Sequence, residues 1–216
     1  FAIRSLAAIQ ADIQAVARAY PGTRRVFLAD GDALAAPTDH LLAILENLPA
    51  AFPRLERISS YALPANLLKK SVNELTRLRE AGLTLIYYGI ETGSADLLKR
   101  ITKGATPEVM ITGLTKAKQA GLKISATVIL GLGGQTGWQE HIDATADLVN
   151  QVELDYLSTL QLMLDPTICQ EFHRKFREPF QEQDDHALLA EQARLIQQLN
   201  PPAPLAFRSH PASHAL

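Results

Sequence analysis

What most restricts the fold of this 216-residue chain is that its apolar periodicity keeps changing. Short apolar runs suited to strands alternate with longer stretches in which apolar residues return every three or four positions, as on one face of a helix. Ile3 to Ala19 reads as a helix stopped by Pro21-Gly22, and Arg25 to Ala29 as a first strand. Thr38 is placed to cap a helix running to about Leu48, before a second strand from Leu55 to Ser60. A helix over 65–81 ends at Gly82, where a left-handed backbone favours glycine, and a third strand spans Thr84 to Ile90. A short helix from Ser94 to Thr102 ends at Lys103-Gly104. Thr106-Pro107-Glu108 then supplies a cap, a first-position proline and a first-turn acid for a helix ending at Gly121. Ile124 to Leu130 is a fourth strand, Trp138 to Asn150 a helix, Tyr156 to Leu162 a fifth strand and Asp184 to Leu199 a last helix. Two junctions repeat, REAGLTL at 79–85 and KQAGLKI at 118–124, each a helix, an Ala-Gly-Leu turn and a strand.

Strands separated by helices must run parallel and be covered on both faces, and these short apolar strands read as buried. A doubly wound sheet and a (β/α) barrel both satisfy this order. In either, the C-terminal strand ends share one face, and ligands bind there. All five ends are polar. They carry Asp30-Gly31-Asp32, then Ser59-Ser60-Tyr61, then Glu91-Thr92-Gly93-Ser94, then Gly131-Leu132-Gly133-Gly134-Gln135, and last Ser158, Thr159 and Gln161.

Composition removes several function classes. A net charge of -2 implies no broad basic face for nucleic acid. No apolar run reaches the ~20 residues that span a bilayer, and FAIRSLAAIQADIQ is not a secretory signal. Cys169 is the only cysteine, so neither an intramolecular disulfide nor a multi-cysteine metal site exists within the chain. A partly buried thiol is its plain reading, and a reducing cytoplasm is the expected compartment. Histidines at 40, 141, 173, 186, 210 and 214 are scattered, with no helical pair suited to zinc. His210 and His214 flank Pro211 in what reads as a terminal tail.

The strand-end residues have competing readings. Glu91 suits the positive end of the helix that follows, and equally suits the vicinal hydroxyls of a ribose. Ser94 is better read as that helix's N-cap. GLGGQ at 131–135 lets backbone approach a ligand and exposes N–H groups, although its spacing is neither a dinucleotide fingerprint nor a P-loop. Asp30-Gly31-Asp32 suits a cation or an amino group, or a plain turn.

Taken in order, YYGIETGSADLLKRITKG and the following ATPEVMITGLTKAKQAGLKISATVILGLGGQ resemble the core of the radical SAM superfamily over roughly residues 25–165. The resemblance implies an α/β fold, a partial (β/α)6 TIM-like barrel of parallel strands. It places such a domain over 1–200, with 201–216 as a C-terminal tail or final strand segment. It also implies S-adenosylmethionine and a [4Fe–4S] cluster as cofactors, with reductive cleavage to a 5′-deoxyadenosyl radical that abstracts hydrogen from a substrate. An electron donor such as flavodoxin or ferredoxin is implied as a partner.

Residue by residue, Asp30, Gly31 and Asp32 match the region whose backbone receives the methionine amino group, without a strict Gly-Gly-Glu. Glu91 and Ser94 match the ribose motif. Ile129, Gly131, Gly133 and Gln135 match the strand end flanking adenine, with glutamine where glutamate is usual. The family's CxxxCxxC is absent, so no metal ligand is assigned here. The resemblance implies that the first strand and the cysteine triplet lie upstream of Phe1. The rival readings are a member without the cluster, a cluster-free (β/α)-barrel lyase and a non-catalytic nucleotide-binding module.

Overall fold

A computed structural model describes residues 2–29, 31–176 and 179–209. Asp30, His210 and His214 lie outside the described residues. Nine helices and six strands alternate among those described. The six strands are neighbours in chain order, β1 to β6, and every recorded pairing is parallel. A doubly wound sheet reverses its order at a switch point. This order never reverses, as in a barrel-type sheet. The fold is the barrel-type alternative.

The chain divides into two compact units. The first, residues 1–88 and 115–124, carries α1 (Leu6–Ala19), β1 (Arg25–Leu28), a 3₁₀ turn (Ala33–Ala35), α2 (Thr38–Ala51), β2 (Arg57–Tyr61), α3 (Pro64–Lys69), α4 (Val72–Glu80) and most of β3 (Leu83–Glu91). Leu45, Leu67, Leu75, Leu78, Ile86 and Tyr88 form its fully buried core. The single helix expected over 65–81 is two helices. Ser71 and Glu74 form a reciprocal capping box that starts α4 where α3 stops. Lys116 Nζ reaches the carbonyls of Leu67, Leu68 and Lys70 and so caps the end of α3. Thr38 does not cap α2. Its hydroxyl donates to Glu74 at 2.7 Å, and Pro37 holds the cap position.

The second unit, residues 89–114 and 125–216, carries the end of β3, α5 (Ala95–Arg100), β4 (Lys123–Leu130), α7 (Gly134–Val149), β5 (Tyr156–Gln161), α8 (Pro166–Arg174), α9 (Asp185–Gln198) and β6 (Ala206–Ser209). Helix α6 (Pro107–Gln119) and β4 each have residues in both units. Ile90, Leu98, Met110, Val128, Ile142, Leu157 and Leu195 are its core. Two elements depart from expectation. Helix α7 begins inside the glycine turn rather than at Trp138. Helix α8 forms between the fifth strand and the last helix, where no element was expected, with Asp165 as N-cap and Pro166 at its first position. Strand β6 pairs with β5 within residues 201–216, the final-strand alternative for that segment.

β3 and β4 are not buried on both faces. In β3 the burial alternates, with Ile86, Tyr88 and Ile90 buried and Tyr87, Gly89 and Glu91 half-buried. β4 alternates in the same way. In both strands one face is buried and the other half-buried, whereas β2 buries Ile58, Ser59 and Ser60 in succession.

Candidate functional site

The end of β3 is built around an unusual backbone. Glu91 has φ +62°, a left-handed conformation that costs about 1–2 kcal/mol for a residue with a side chain. Such strain persists where the surroundings over-determine it, often at ligand sites. Its carboxylate folds back over Gly89 on the half-buried face, and a Cβ at residue 89 would overlap it. Lys103, at the end of α5, donates to Glu91 Oε1 at 2.8 Å. The Lys103 and Glu91 side chains are 13% and 20% exposed, so the pair keeps partial contact with water. Lys103 escaped the sequence reading, because only the fold brings a loop twelve residues on back to the strand end.

Gly93 is required by packing. A Cβ there would overlap the Ala144 carbonyl and come within 2.7 Å of Thr145 Cα. Its N–H donates to Thr145 Oγ1 at 2.9 Å. Ser94 is the buried N-cap of α5, accepting from Leu97 N–H at 3.4 Å and donating to Glu140 at 3.4 Å. Its hydroxyl is therefore engaged within the protein. The Ser94 N–H donates to Thr92 Oγ1 at 3.0 Å.

The glycine turn after β4 is closed rather than open. Gly131, Leu132, Gly133 and Gly134 are all buried. The Gly131 N–H donates to Glu191 Oε2 at 2.9 Å, and Gly134 N–H to Gly131 O at 3.0 Å. Gln135 donates from its backbone to Gln181 O and from its side chain to Glu182 O, both at 3.0 Å. The expectation that this turn exposes N–H groups is thus not met at these three residues. Packing sets the glycines here. Gly131 and Gly134 have φ +82° and +61°, and a Cβ at Gly133 would meet Gly137 backbone at 2.7 Å.

Behind both strand ends lies His141. Its Nε2 is 3.0 Å from Ile129 O and its Nδ1 is 2.8 Å from Thr92 Oγ1. A carbonyl only accepts, so Nε2 carries the proton and Nδ1 accepts from the Thr92 hydroxyl. His141 and Glu191 are both fully buried, with Nε2 3.3 Å from Glu191 Oε1. Burial pushes His141 down to about 4 and Glu191 up to about 8. Both are neutral near pH 7, so desolvation outweighs their attraction and the contact is not an ion pair.

The first unit holds the other assigned residues. Asp32 Oδ1 accepts from Leu34 N–H at 2.8 Å, while Oδ2 accepts from Leu63 N–H at 2.7 Å and Asn66 at 2.9 Å. Gly31 has φ +95° with open space where a Cβ would stand. A groove of about 390 Å³ in this unit is lined by Lys70, Thr38 and Glu74, which already bond one another or backbone.

The donor sets differ in what they fit. A half-buried carboxylate in a strained left-handed turn, with a glycine cradle beneath it, suits the hydroxyls of a nucleoside. An iron–sulfur cluster takes several thiolates. Cys169 Sγ on α8 faces only His173 Nε2, at 3.8 Å, and no group of three metal-ligating side chains exists among the described residues. The chain's described residues do not hold a cluster.

A parallel sheet in chain order, with polar strand ends, defines the class: a barrel-type α/β fold. The family model described as the radical SAM superfamily matches residues 2–149, and the chain belongs to that superfamily. Its members are enzymes that use S-adenosylmethionine and, in general, a [4Fe–4S] cluster. The heme chaperone HemW of Bacillus subtilis is 23% identical over 147 residues, covering 68% of this chain and 38% of that protein. The structure of coproporphyrinogen III oxidase HemN from Escherichia coli, a radical SAM enzyme, aligns with TM-score 0.64 and 18% identity over 89% of this chain and 43% of its own. Methylornithine synthase PylB aligns with TM-score 0.62 and 13% identity over 91% and 61%. At these identities the structures establish the fold. The chain spans less than two thirds of each relative.

Proposed function

We propose that this chain forms the S-adenosylmethionine-binding part of a radical SAM enzyme, with Glu91 as the acceptor for the ribose hydroxyls. The observation that carries the reading is the Glu91 carboxylate, held over Gly89 by Lys103 in a left-handed backbone. Lys103 keeps the carboxylate aimed, so little reorganisation is needed on binding. Ser94 contributes by capping α5 and fixing the turn, and Ile129, Gly131, Gly133 and Gln135 form the second strand end, toward adenine. Asp30, Gly31 and Asp32 are the residues that this reading assigns to the methionyl end. When bound and reduced, S-adenosylmethionine supplies radical chemistry able to remove hydrogen from a substrate. The residues of this chain bind, orient and shield it. A small-molecule or unknown substrate, and a reduced flavodoxin or ferredoxin as electron donor, are the partners this reading requires.

Calorimetric titration of S-adenosylmethionine tests the assignment. Glu91→Gln is expected to weaken binding by about 1–3 kcal/mol, the scale of a hydrogen bond to a charged group. Equal affinity for both proteins would remove Glu91 from the site.

A further inference from the structure

The residue most deeply connected to the proposed site is one that no sequence pattern marks. His141 lies on the buried side of α7, and each ring nitrogen addresses a different strand end. Nδ1 takes the Thr92 hydroxyl, and Thr92 in turn accepts the Ser94 N–H, so this branch reaches the β3 end. Nε2 gives its proton to Ile129 O, two residues before Gly131, so this branch reaches the β4 end. Glu191 comes from α9 and takes the Gly131 N–H, standing beside the ring. Thr145, one turn along α7, takes the Gly93 N–H and donates its own proton to His141 O at 2.6 Å.

A histidine that merely fills core could satisfy itself on neighbouring carbonyls of one element. This one bridges two strand ends that are 37 residues apart in sequence, counted from Thr92 to Ile129. A second observation points the same way. Glu191 Oε1 is buried with no hydrogen-bond partner. An orphaned buried oxygen costs about 1–3 kcal/mol, which an apolar residue at 191 would avoid. What the carboxyl supplies in exchange is the acceptor for Gly131.

We propose that His141, braced by Glu191, is a positioning residue that ties the β3 and β4 strand ends into one preformed cradle for the nucleoside of S-adenosylmethionine. This rests on the reading of those strand ends as the cofactor site. The ring touches no ligand itself. It sets the spacing between the ribose side and the adenine side, so movement of one end is transmitted to the other. Two anchors held in register lose less freedom on binding than two that move independently.

Amide exchange at Ser94 and Gly131 tests the coupling without any ligand. Thr92→Val removes only the hydroxyl link and is the mild variant if His141→Gln does not fold. It is expected to speed exchange at Gly131, on the other strand end, by about tenfold. Glu191→Leu should speed exchange at Ser94 similarly. Leu114→Ala, a buried truncation on α6, serves as the control for general destabilisation and should not single out these amides. Cross-effects no larger than the control's would overturn the positioning role. The second arm titrates S-adenosylmethionine into wild type and Thr92→Val, with about tenfold weaker binding expected for the variant. If wild type showed the exchange coupling but bound no S-adenosylmethionine, the proposed function would fall, and with it the cradle's purpose. Unchanged affinity in a coupled variant would overturn the positioning role alone.

Discussion

Asp32 and Glu91 are carboxylates at two strand ends, and they are used in opposite ways. Asp32 is spent on the chain itself: both oxygens accept from Leu34, Leu63 and Asn66, and together they pin the 3₁₀ turn and the start of α3. Glu91 accepts from a single side-chain cation, Lys103, on a strained backbone. The Asp32 carboxylate braces a loop. Glu91's carboxylate keeps lone pairs in reserve on a half-buried face. The difference shows that place at a strand end does not decide whether an acid serves structure or ligand. Its hydrogen-bond inventory does.

The contrast breaks most sharply on stability. Asp32→Ala leaves two backbone N–H groups and an amide without their acceptor, and is expected to lower unfolding free energy by about 2–4 kcal/mol. Glu91→Ala should change it by less than about 1 kcal/mol, since one partly exposed ion pair is lost. Chemical denaturation of both variants checks this. If Glu91→Ala proved the more damaging, the division of labour would be wrong.

Next in size is a pH effect from the buried pair. Unfolded, Glu191 ionises from about 4.5, but folded it keeps its proton to about 8, so between those values the folded state binds the extra proton and stability falls as pH rises. His141 acts in reverse: unfolded it gains a proton below 6.5, folded it refuses one until about 4, so stability falls as pH drops through that range. The slopes cancel between 4.5 and 6.5. From pH 6.5 to 8 the chain should lose about 2 kcal/mol, at 1.36 kcal/mol per unit. Glu191→Gln should abolish that slope in urea unfolding measured across the range, and a wild type flat from 6.5 to 8 would contradict the neutral state of Glu191.

A smaller effect sharpens the comparison at its strained end. Glycine tolerates φ +62° without steric penalty, so Glu91→Gly is expected to raise stability by up to about 1 kcal/mol while removing the ligand acceptor. A rise in melting temperature with lost S-adenosylmethionine affinity would mark strain kept for function. A fall would mean the surroundings do not force the left-handed turn. Smallest of all is the expected iron content: with Cys169 as sole thiol, the 216-residue chain should stay colourless on anaerobic reconstitution. Four irons per molecule would require ligands that the described residues do not offer.

Much of the fold was legible because it rests on local patterns. The helix–strand alternation, the Ala-Gly-Leu corners at Gly82 and Gly121 with their positive φ, and the Ser94 cap are all consequences of neighbours in sequence. The misreadings were local competitions. The Ser71–Glu74 box won over a continuous helix at 65–81, and Thr38 turned from its own helix to Glu74. The family itself could be read from the ordered pair of strand ends, with residues 2–149 matching its model.

The order of elements, the polar strand ends and the lack of cluster ligands were determined by sequence alone, since each depends on which residues are present and how they are spaced. Tertiary structure decided what each polar group does. It brought Lys103 onto Glu91, closed Gly131 and Gln135 against Glu191 and the segment at 181–182, and placed His141 between Thr92 and Ile129. Those outcomes depend on burial and on partners dozens of residues away. A carboxyl that ionises freely in the unfolded chain becomes neutral at 191 only because the folded chain removes water from it and gives it a single N–H in return.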